Sequence, residues 1–134
     1  MEFAKTLGRN KPFTKKVGEY FASNCFVGVS PFTPRQIPLD ELVGKDADQR
    51  PLPGFHVGAD NAMFGVDYPH FESIYRTTMD EVAGLVAHPS ITPEDAQKIL
   101  FDNALDVFRF DRDALAPHVE RVGFELDELA PVGA

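Results

Sequence analysis

Two short apolar runs, residues 25–29 (CFVGV) and 62–64 (AMF), limit what this sequence can fold into. Both runs are continuous rather than alternating, which is typical of parallel strands covered on both faces. Parallel strands need a long crossover connection, and the residues between the two runs are numerous enough to form one. Two strands are too few for a stable parallel sheet by themselves, and the two runs alone do not explain this mismatch.

Helices are predicted around these strands. Apolar residues at helical spacing indicate helices over residues 13–24 and 78–87. The stretch Thr92-Pro93-Glu94-Asp95 predicts a helix start, because it combines a capping threonine, a first-turn proline and two acids. A last helix is predicted from Asp111 to a stop at Gly123.

The connection between the strands, residues 30–54, is rich in proline and polar residues. It is predicted as a long loop with one short helix over residues 39–43, followed by a helical turn over 54–57. Loops of this length in compact domains are usually functional or mobile. We therefore expect residues 30–54 to have a function or to be mobile.

Composition restricts the function classes. The 134 residues are 43% hydrophobic, which predicts one globular domain. The net charge of −8 argues against nucleic acid or an anionic membrane as partner, because both need clustered Lys and Arg. Cys25 is the single cysteine, and no apolar run approaches the roughly 20 residues of a membrane helix. These features predict a cytoplasmic location.

The stretch FGVDYPHFES, residues 64–73, holds the candidate chemistry. Asp67 directly follows the second strand, and the carboxyl ends of parallel strands are where α/β proteins keep their active sites. An aspartate there can bind a cation or act as a general base. The alternative is a turn aspartate that hydrogen-bonds its own backbone.

The segment FGVDYPH resembles the G-S-D-Y-P-H signature of the amidohydrolase-related family. This family includes metal-dependent hydrolases and the aminocarboxymuconate-semialdehyde and resorcylate types of decarboxylase. GEYFASNCFVGVS resembles the family's helix and seventh barrel strand, and HVGADNAMFGVDYPHFES its seventh helix and eighth strand. ITPEDAQKILFDNALDVFRFD resembles its closing helix, so the resemblance covers residues 17–125. Val66 departs from the signature, which has a small polar residue there.

The resemblance implies the C-terminal part of a (β/α)8 TIM barrel, with the last two βα units and the C-terminal helices. Residues 1–134 would form one segment of that domain, with an N-terminal arm over 1–12. The two βα units and closing helix would occupy 13–110, and a C-terminal helix and tail 111–134. A whole barrel takes about 250 residues, more than this sequence contains.

The resemblance also implies roles for individual residues. Asp67 would be catalytic and would contact a divalent metal, zinc or manganese, if the other ligands are supplied. His70 would be a supporting residue that shapes the loop. Asn103 would tether the closing helix to a loop beneath the signature, and Glu72 and Ser73 would cap the next helix.

The family's metal site needs a His-x-His pair and further single histidines. The four histidines of this sequence, at positions 56, 70, 88 and 118, form no such pair. We therefore expect the chain by itself to bind metal weakly and to lack catalysis. The expected whole enzyme is a hydrolase or non-oxidative decarboxylase of a small carboxylated or carbonyl substrate, completed by an N-terminal chain or by homo-oligomerisation.

Two other readings remain open from the sequence. The chain could be a non-catalytic binding or assembly module that uses residues 30–54 for contacts. It could also be a free-standing small α/β protein in which the signature is only a turn.

Overall fold

A computed structural model describes residues 14–29, 38–71 and 73–124. The predicted arm, Phe13 of the first predicted helix, Glu72 and the end of the tail lie outside these ranges. The elements in chain order are α1 (Val17–Asn24), β1 (Val27–Val29), α2 (Leu39–Val43), a 3₁₀ turn (Ala59–Asn61), β2 (Ala62–Phe64), α3 (Thr78–Val86), α4 (Pro93–Gln97), a π-helical turn (Lys98–Asp102), α5 (Asn103–Phe108) and α6 (Arg112–Val122).

The two strands form a two-stranded parallel sheet, as predicted. Val27 of β1 is opposite Ala62 of β2, and Val29 is opposite Phe64. The chain therefore mixes helices with a small parallel sheet, which is compatible with part of an α/β fold.

The prediction that the first run is a buried strand was wrong. Strand β1 begins only at Val27, its two valines are half-buried, and Gly28 is exposed. Phe26 is 43% exposed. The physical reason is missing cover: α1 contributes no buried residue, and a Cβ placed on Gly28 would meet no atom within 4 Å.

The core forms beside β2 rather than around both strands. Ala62 is fully buried and packs in one cluster with Leu85 of α3 and Ile99 of the π-helical turn. Val43 of α2 belongs to the same cluster. The apolar spacing that predicted α3, and the start signal that predicted α4, therefore identified helices that cover β2.

The described part of the predicted loop, residues 38–54, is packed rather than free. The helix predicted over 39–43 is present as α2, and its Leu42 and Val43 are buried. Lys45 Nζ lies 2.8 Å from a carboxylate oxygen of Asp95, which fastens this segment to α4. The helical turn predicted over 54–57 was wrong, because Gly54 and Gly58 adopt φ angles of 117° and 82°.

The last helices begin at the predicted caps. Thr92 Oγ1 accepts a hydrogen bond from the Asp95 N–H, and the Asp95 carboxylate accepts one from the Thr92 N–H. Asp111 Oδ1 accepts hydrogen bonds from the N–H groups of Asp113 and Ala114 at the start of α6. Both helix starts were therefore predicted correctly from local signals.

A π-helical turn joins α4 to α5 without a break. The Asn103 N–H donates to the carbonyl of Lys98, five residues earlier, instead of four as in an α-helix. None of the helices in the described part of the chain has the length and apolar composition needed to cross a membrane.

Candidate functional site

The loop after β2, residues 65–74, begins as a continuation of the sheet. The Gly65 N–H donates to the Val29 carbonyl at 3.1 Å. The Val66 carbonyl then accepts two hydrogen bonds from the far end of the loop. One comes from the Ile74 N–H at 3.1 Å and the other from Ser73 Oγ at 2.6 Å. These bonds close the chain around Asp67.

Asp67 starts a tight turn at the carboxyl end of β2. The His70 N–H donates to the Asp67 carbonyl at 2.8 Å, and the Tyr68–Pro69 peptide between them is cis. Asp67 has a φ of 54°, in the left-handed region that aspartate tolerates better than most residues. The Asp67 side chain is 52% exposed, and one of its oxygens lies 3.4 Å from Nδ1 of His70.

Exposed aromatic rings surround this turn. Tyr68 and Phe71 are 68% and 87% exposed. The Tyr68 ring meets Tyr75 edge-on at 5.3 Å, and His70 and Phe71 have ring centroids 4.5 Å apart. Aromatic side chains therefore follow Asp67 closely in this turn.

Comparison with family models matches residues 51–110 to the family described as Amidohydrolase. Residues 51–110, here called the amidohydrolase segment, are therefore similar to an amidohydrolase-related family. This amidohydrolase segment contains β2, the Asp67 turn, α3, α4 and α5. Comparison with curated proteins found no match. Comparison with solved structures found none either.

Asn103 tethers the closing helix of the amidohydrolase segment to the start of β2. Its Nδ2 donates to the carbonyls of Ala59 and Ala62, each at 2.7 Å, and the side chain is buried. This confirms the tether expected for Asn103. A second amide was not expected: Asn61 Nδ2 donates to the carbonyls of Ala22 and Cys25, at 3.1 and 2.7 Å. Asn61 thereby links β2 to the end of α1.

Ser73 has a different role from the one expected. The N-cap of α3 is Thr77, so Ser73 lies too early to cap that helix. Its hydroxyl instead donates back to Val66, across the Asp67 turn. No local pattern in the sequence signals this bond, because it depends on how the loop closes.

The residues described do not fit a metal site for the amidohydrolase segment by themselves. Within residues 14–29, 38–71 and 73–124, no three His, Cys, Asp or Glu side chains come together in a way that could hold a metal ion. A zinc centre needs at least three protein ligands, and the turn brings together only Asp67 and His70.

The other histidines contact local groups. Nδ1 of His56 lies 2.6 Å from the Glu41 carbonyl, and its Nε2 lies 3.2 Å from the Pro53 carbonyl. Nδ1 of His88 accepts from the Ser90 N–H at 3.3 Å, and His118 is exposed on α6. His56 and His88 thus contact groups of the scaffold rather than Asp67.

A cavity of about 400 Å³ lies at the start of β2, away from Asp67. Two ion pairs line it, Lys98 with Asp60 and Arg112 with Asp102. The Asp60 carboxylate accepts a hydrogen bond from Lys98 and raises the pKa of that ammonium. The lining of this cavity includes neither Asp67 nor His70.

Proposed function

We propose that this chain is the C-terminal segment of a metal-dependent amidohydrolase-family enzyme. The whole enzyme would be a hydrolase or a non-oxidative decarboxylase acting on a small molecule with a carboxylate or carbonyl group. The observation that carries the proposal is the position of Asp67. It stands at the carboxyl end of a parallel strand, inside the segment that matches the family.

Asp67 would provide the acid–base group of this enzyme. Its carboxylate is half exposed and free of the core, so a substrate or water molecule can reach it. In the whole enzyme it would also be one ligand of zinc or manganese, with the remaining ligands supplied from outside the described residues. His70 would support the turn through the hydrogen bond from its N–H to the Asp67 carbonyl, and its Nδ1 lies 3.4 Å from the carboxylate.

The proposed architecture is the last two βα units of a (β/α)8 barrel. Its support is the parallel β1–β2 pairing and the open face at Gly28, where added side-chain atoms would meet nothing. A two-stranded sheet leaves unpaired edges, which further strands of a barrel would cover. We propose that a complementing N-terminal chain, or failing that a second copy of this chain, provides that cover.

The proposed location is the cytoplasm. Cys25 is exposed and is the single cysteine of the sequence, which suits a compartment where thiols stay reduced.

A co-expression experiment tests this proposal. The coding sequence adjacent to this one is searched for a strand with His-x-His followed by two single histidines, and its product is co-expressed with the 134-residue chain. Sedimentation should show a heteromeric complex of the two chains. The complex should hydrolyse or decarboxylate a small carboxylated substrate, and Asp67→Asn should abolish activity while the complex still forms.

Other outcomes have definite meanings. Activity that survives Asp67→Asn would remove Asp67 from catalysis. A stable complex without bound metal and without either activity would instead support the non-catalytic assembly module.

A further inference from the structure

The hydroxyl of Ser73 occupies the closing point of the Asp67 loop. It donates to the Val66 carbonyl at 2.6 Å and accepts a hydrogen bond from the Tyr75 N–H at 3.3 Å. One small side chain therefore joins the two ends of the loop on either side of the exposed turn.

The carbonyl that Ser73 holds belongs to the peptide unit directly before Asp67. The same carbonyl accepts from the N–H of Ile74, whose side chain is buried at 5% exposure. Because a peptide unit is planar, two donors on the Val66 carbonyl also fix the orientation of the Asp67 N–H. The backbone freedom that then remains at Asp67 is rotation about its own φ and ψ bonds.

Asp67 adopts a φ of 54°, a region that L-amino acids seldom occupy without support from their surroundings. The turn bond from the His70 N–H to the Asp67 carbonyl fixes the other side of the residue. The peptide units before and after Asp67 are thus each held by a hydrogen bond within the loop.

We propose that Ser73 is a positioning residue that sets the direction of the Asp67 carboxylate. It acts through the Val66 carbonyl and does not touch the reacting atoms. The proposal rests on the proposed function in one respect, namely that Asp67 is the catalytic group.

Residue-resolved hydrogen exchange on the full chain at low micromolar concentration tests the geometry without any activity assay. Ser73→Ala should speed exchange of the Ile74 and His70 N–H groups about tenfold, as expected for loss of an ordinary hydrogen bond in the loop. Ser73→Thr keeps the hydroxyl and should restore both rates. The His70 bond does not involve Ser73, so a purely local role would leave its exchange unchanged.

Thr78→Val is the matched control. Thr78 Oγ1 also donates to a backbone carbonyl, that of Ile74 at 2.9 Å, but not to Val66. Its loss should leave the His70 exchange rate unchanged. If Ser73→Ala unfolds the chain, exchange in α4 and α5 rises as well. Ser73→Cys, whose thiol is a weaker donor, is then measured instead and should speed exchange of the Ile74 and His70 N–H groups.

The proposal would be overturned if the His70 and Ile74 N–H groups exchanged at unchanged rates in folded Ser73→Ala. It would also be overturned if these groups exchanged as fast in Ser73→Thr as in Ser73→Ala. In an active complex, Ser73→Ala should lower kcat at nearly constant KM. If Ser73→Ala speeds hydrogen exchange but the chain shows no activity in any complex, the positioning role of Ser73 stands. The proposed enzyme function is then contradicted.

Discussion

Nδ1 of His70 lies 3.4 Å from a carboxylate oxygen of Asp67, and both side chains are about half exposed, at 50% and 52%. Pairs this exposed add little to stability, because water solvates both partners in either state. The pair is therefore not what holds the turn. The backbone of Asp67 is held by the loop, and its carboxylate remains available to other molecules.

The left-handed backbone of Asp67 gives the first prediction. Asp67→Asn and Asp67→Gly should unfold at nearly the urea concentration of the original chain, since both residues tolerate positive φ. Asp67→Ala should lose about 1 kcal/mol of unfolding free energy. At positive φ the Cβ of alanine is disfavoured, and alanine has no polar side chain to hydrogen-bond the nearby backbone in return. An alanine variant as stable as the glycine variant would show that the turn relaxes.

Metal content gives the second prediction. The purified chain should retain less than one equivalent of zinc or manganese after dialysis, because the described residues bring together no set of three ligands. Elemental analysis measures this, with Asp67→Asn as the comparison. A full equivalent in the original chain that disappears in Asp67→Asn would mean that Asp67 already lies in a complete site.

The buried amide of Asn103 gives the third prediction. Asn103→Ala should lower the unfolding free energy by about 2–3 kcal/mol, because the carbonyls of Ala59 and Ala62 would lose their donor inside the core. Urea titration measures the loss. Asn24→Ala is the control: Asn24 also donates to a carbonyl, that of Tyr20 at 2.8 Å, but it is exposed and its loss should cost at most about 0.5 kcal/mol. Equal losses in the two variants would contradict the tether.

The Lys45–Asp95 pair gives the fourth prediction, a pH dependence. Burial alone raises the pKa of the Asp95 carboxyl, but hydrogen bonds from Lys45 and Thr92 outweigh it and hold the pKa below its ordinary value. A depressed folded-state pKa stabilises the fold above the unfolded value of about 4, and this stabilisation is lost as pH falls through the folded value.

The test compares the chain with Asp95→Asn across pH. The difference in unfolding free energy should be largest near neutral pH and should shrink below about pH 4. Glu120→Gln, at an exposed position on α6, is the control and should show little pH-dependent difference. A constant difference between the original chain and Asp95→Asn down to about pH 2 would show that the charge of Asp95 is not what stabilises.

Gly44 gives the fifth prediction. It has a φ of 73°, and a Cβ there would lie 2.9 Å from Cγ and Cδ2 of His56. The ring of His56 cannot yield easily, because its nitrogens contact the carbonyls of Glu41 and Pro53. Gly44→Ala should therefore lower the thermal midpoint clearly, with a loss above about 1 kcal/mol.

Gly28→Ala is the counterpart within β1. A Cβ there would meet no atom within 4 Å, so the change should stay within about 0.5 kcal/mol. If Gly28→Ala were as damaging as Gly44→Ala, something would cover the open face of the sheet in solution.

The features that were predicted correctly from the sequence depend mainly on residues close to one another along the chain. The caps at Thr92 and Asp111 depend on residues within one helical turn, so their helices were predictable. The parallel pairing followed from the apolar runs and the length of the connection. The likeness of FGVDYPH to a family signature agrees with the match over residues 51–110.

The misses depended on contacts between distant residues. The prediction that β1 is buried failed because the elements that pack over a strand are not specified by the strand's own sequence. The packing of residues 38–54 rests on Lys45 and Asp95, 50 positions apart. The Ser73 bond and the left-handed Asp67 arise from loop closure, for which composition provides no signal. The catalytic role of Asp67 and the supporting role of His70 remain predictions.

The π-helical turn at Lys98–Asp102 makes sequence length as important as sequence identity in this part of the molecule. It accommodates one residue more than an α-helix would, and each helical residue rotates the chain by about 100°. Because the turn absorbs that extra residue, deleting it would leave an ordinary α-helix with Asn103 still facing the carbonyls of Ala59 and Ala62. A second deletion in the same helix would have no such reserve, and it would rotate the Asn103 amide away from both carbonyls.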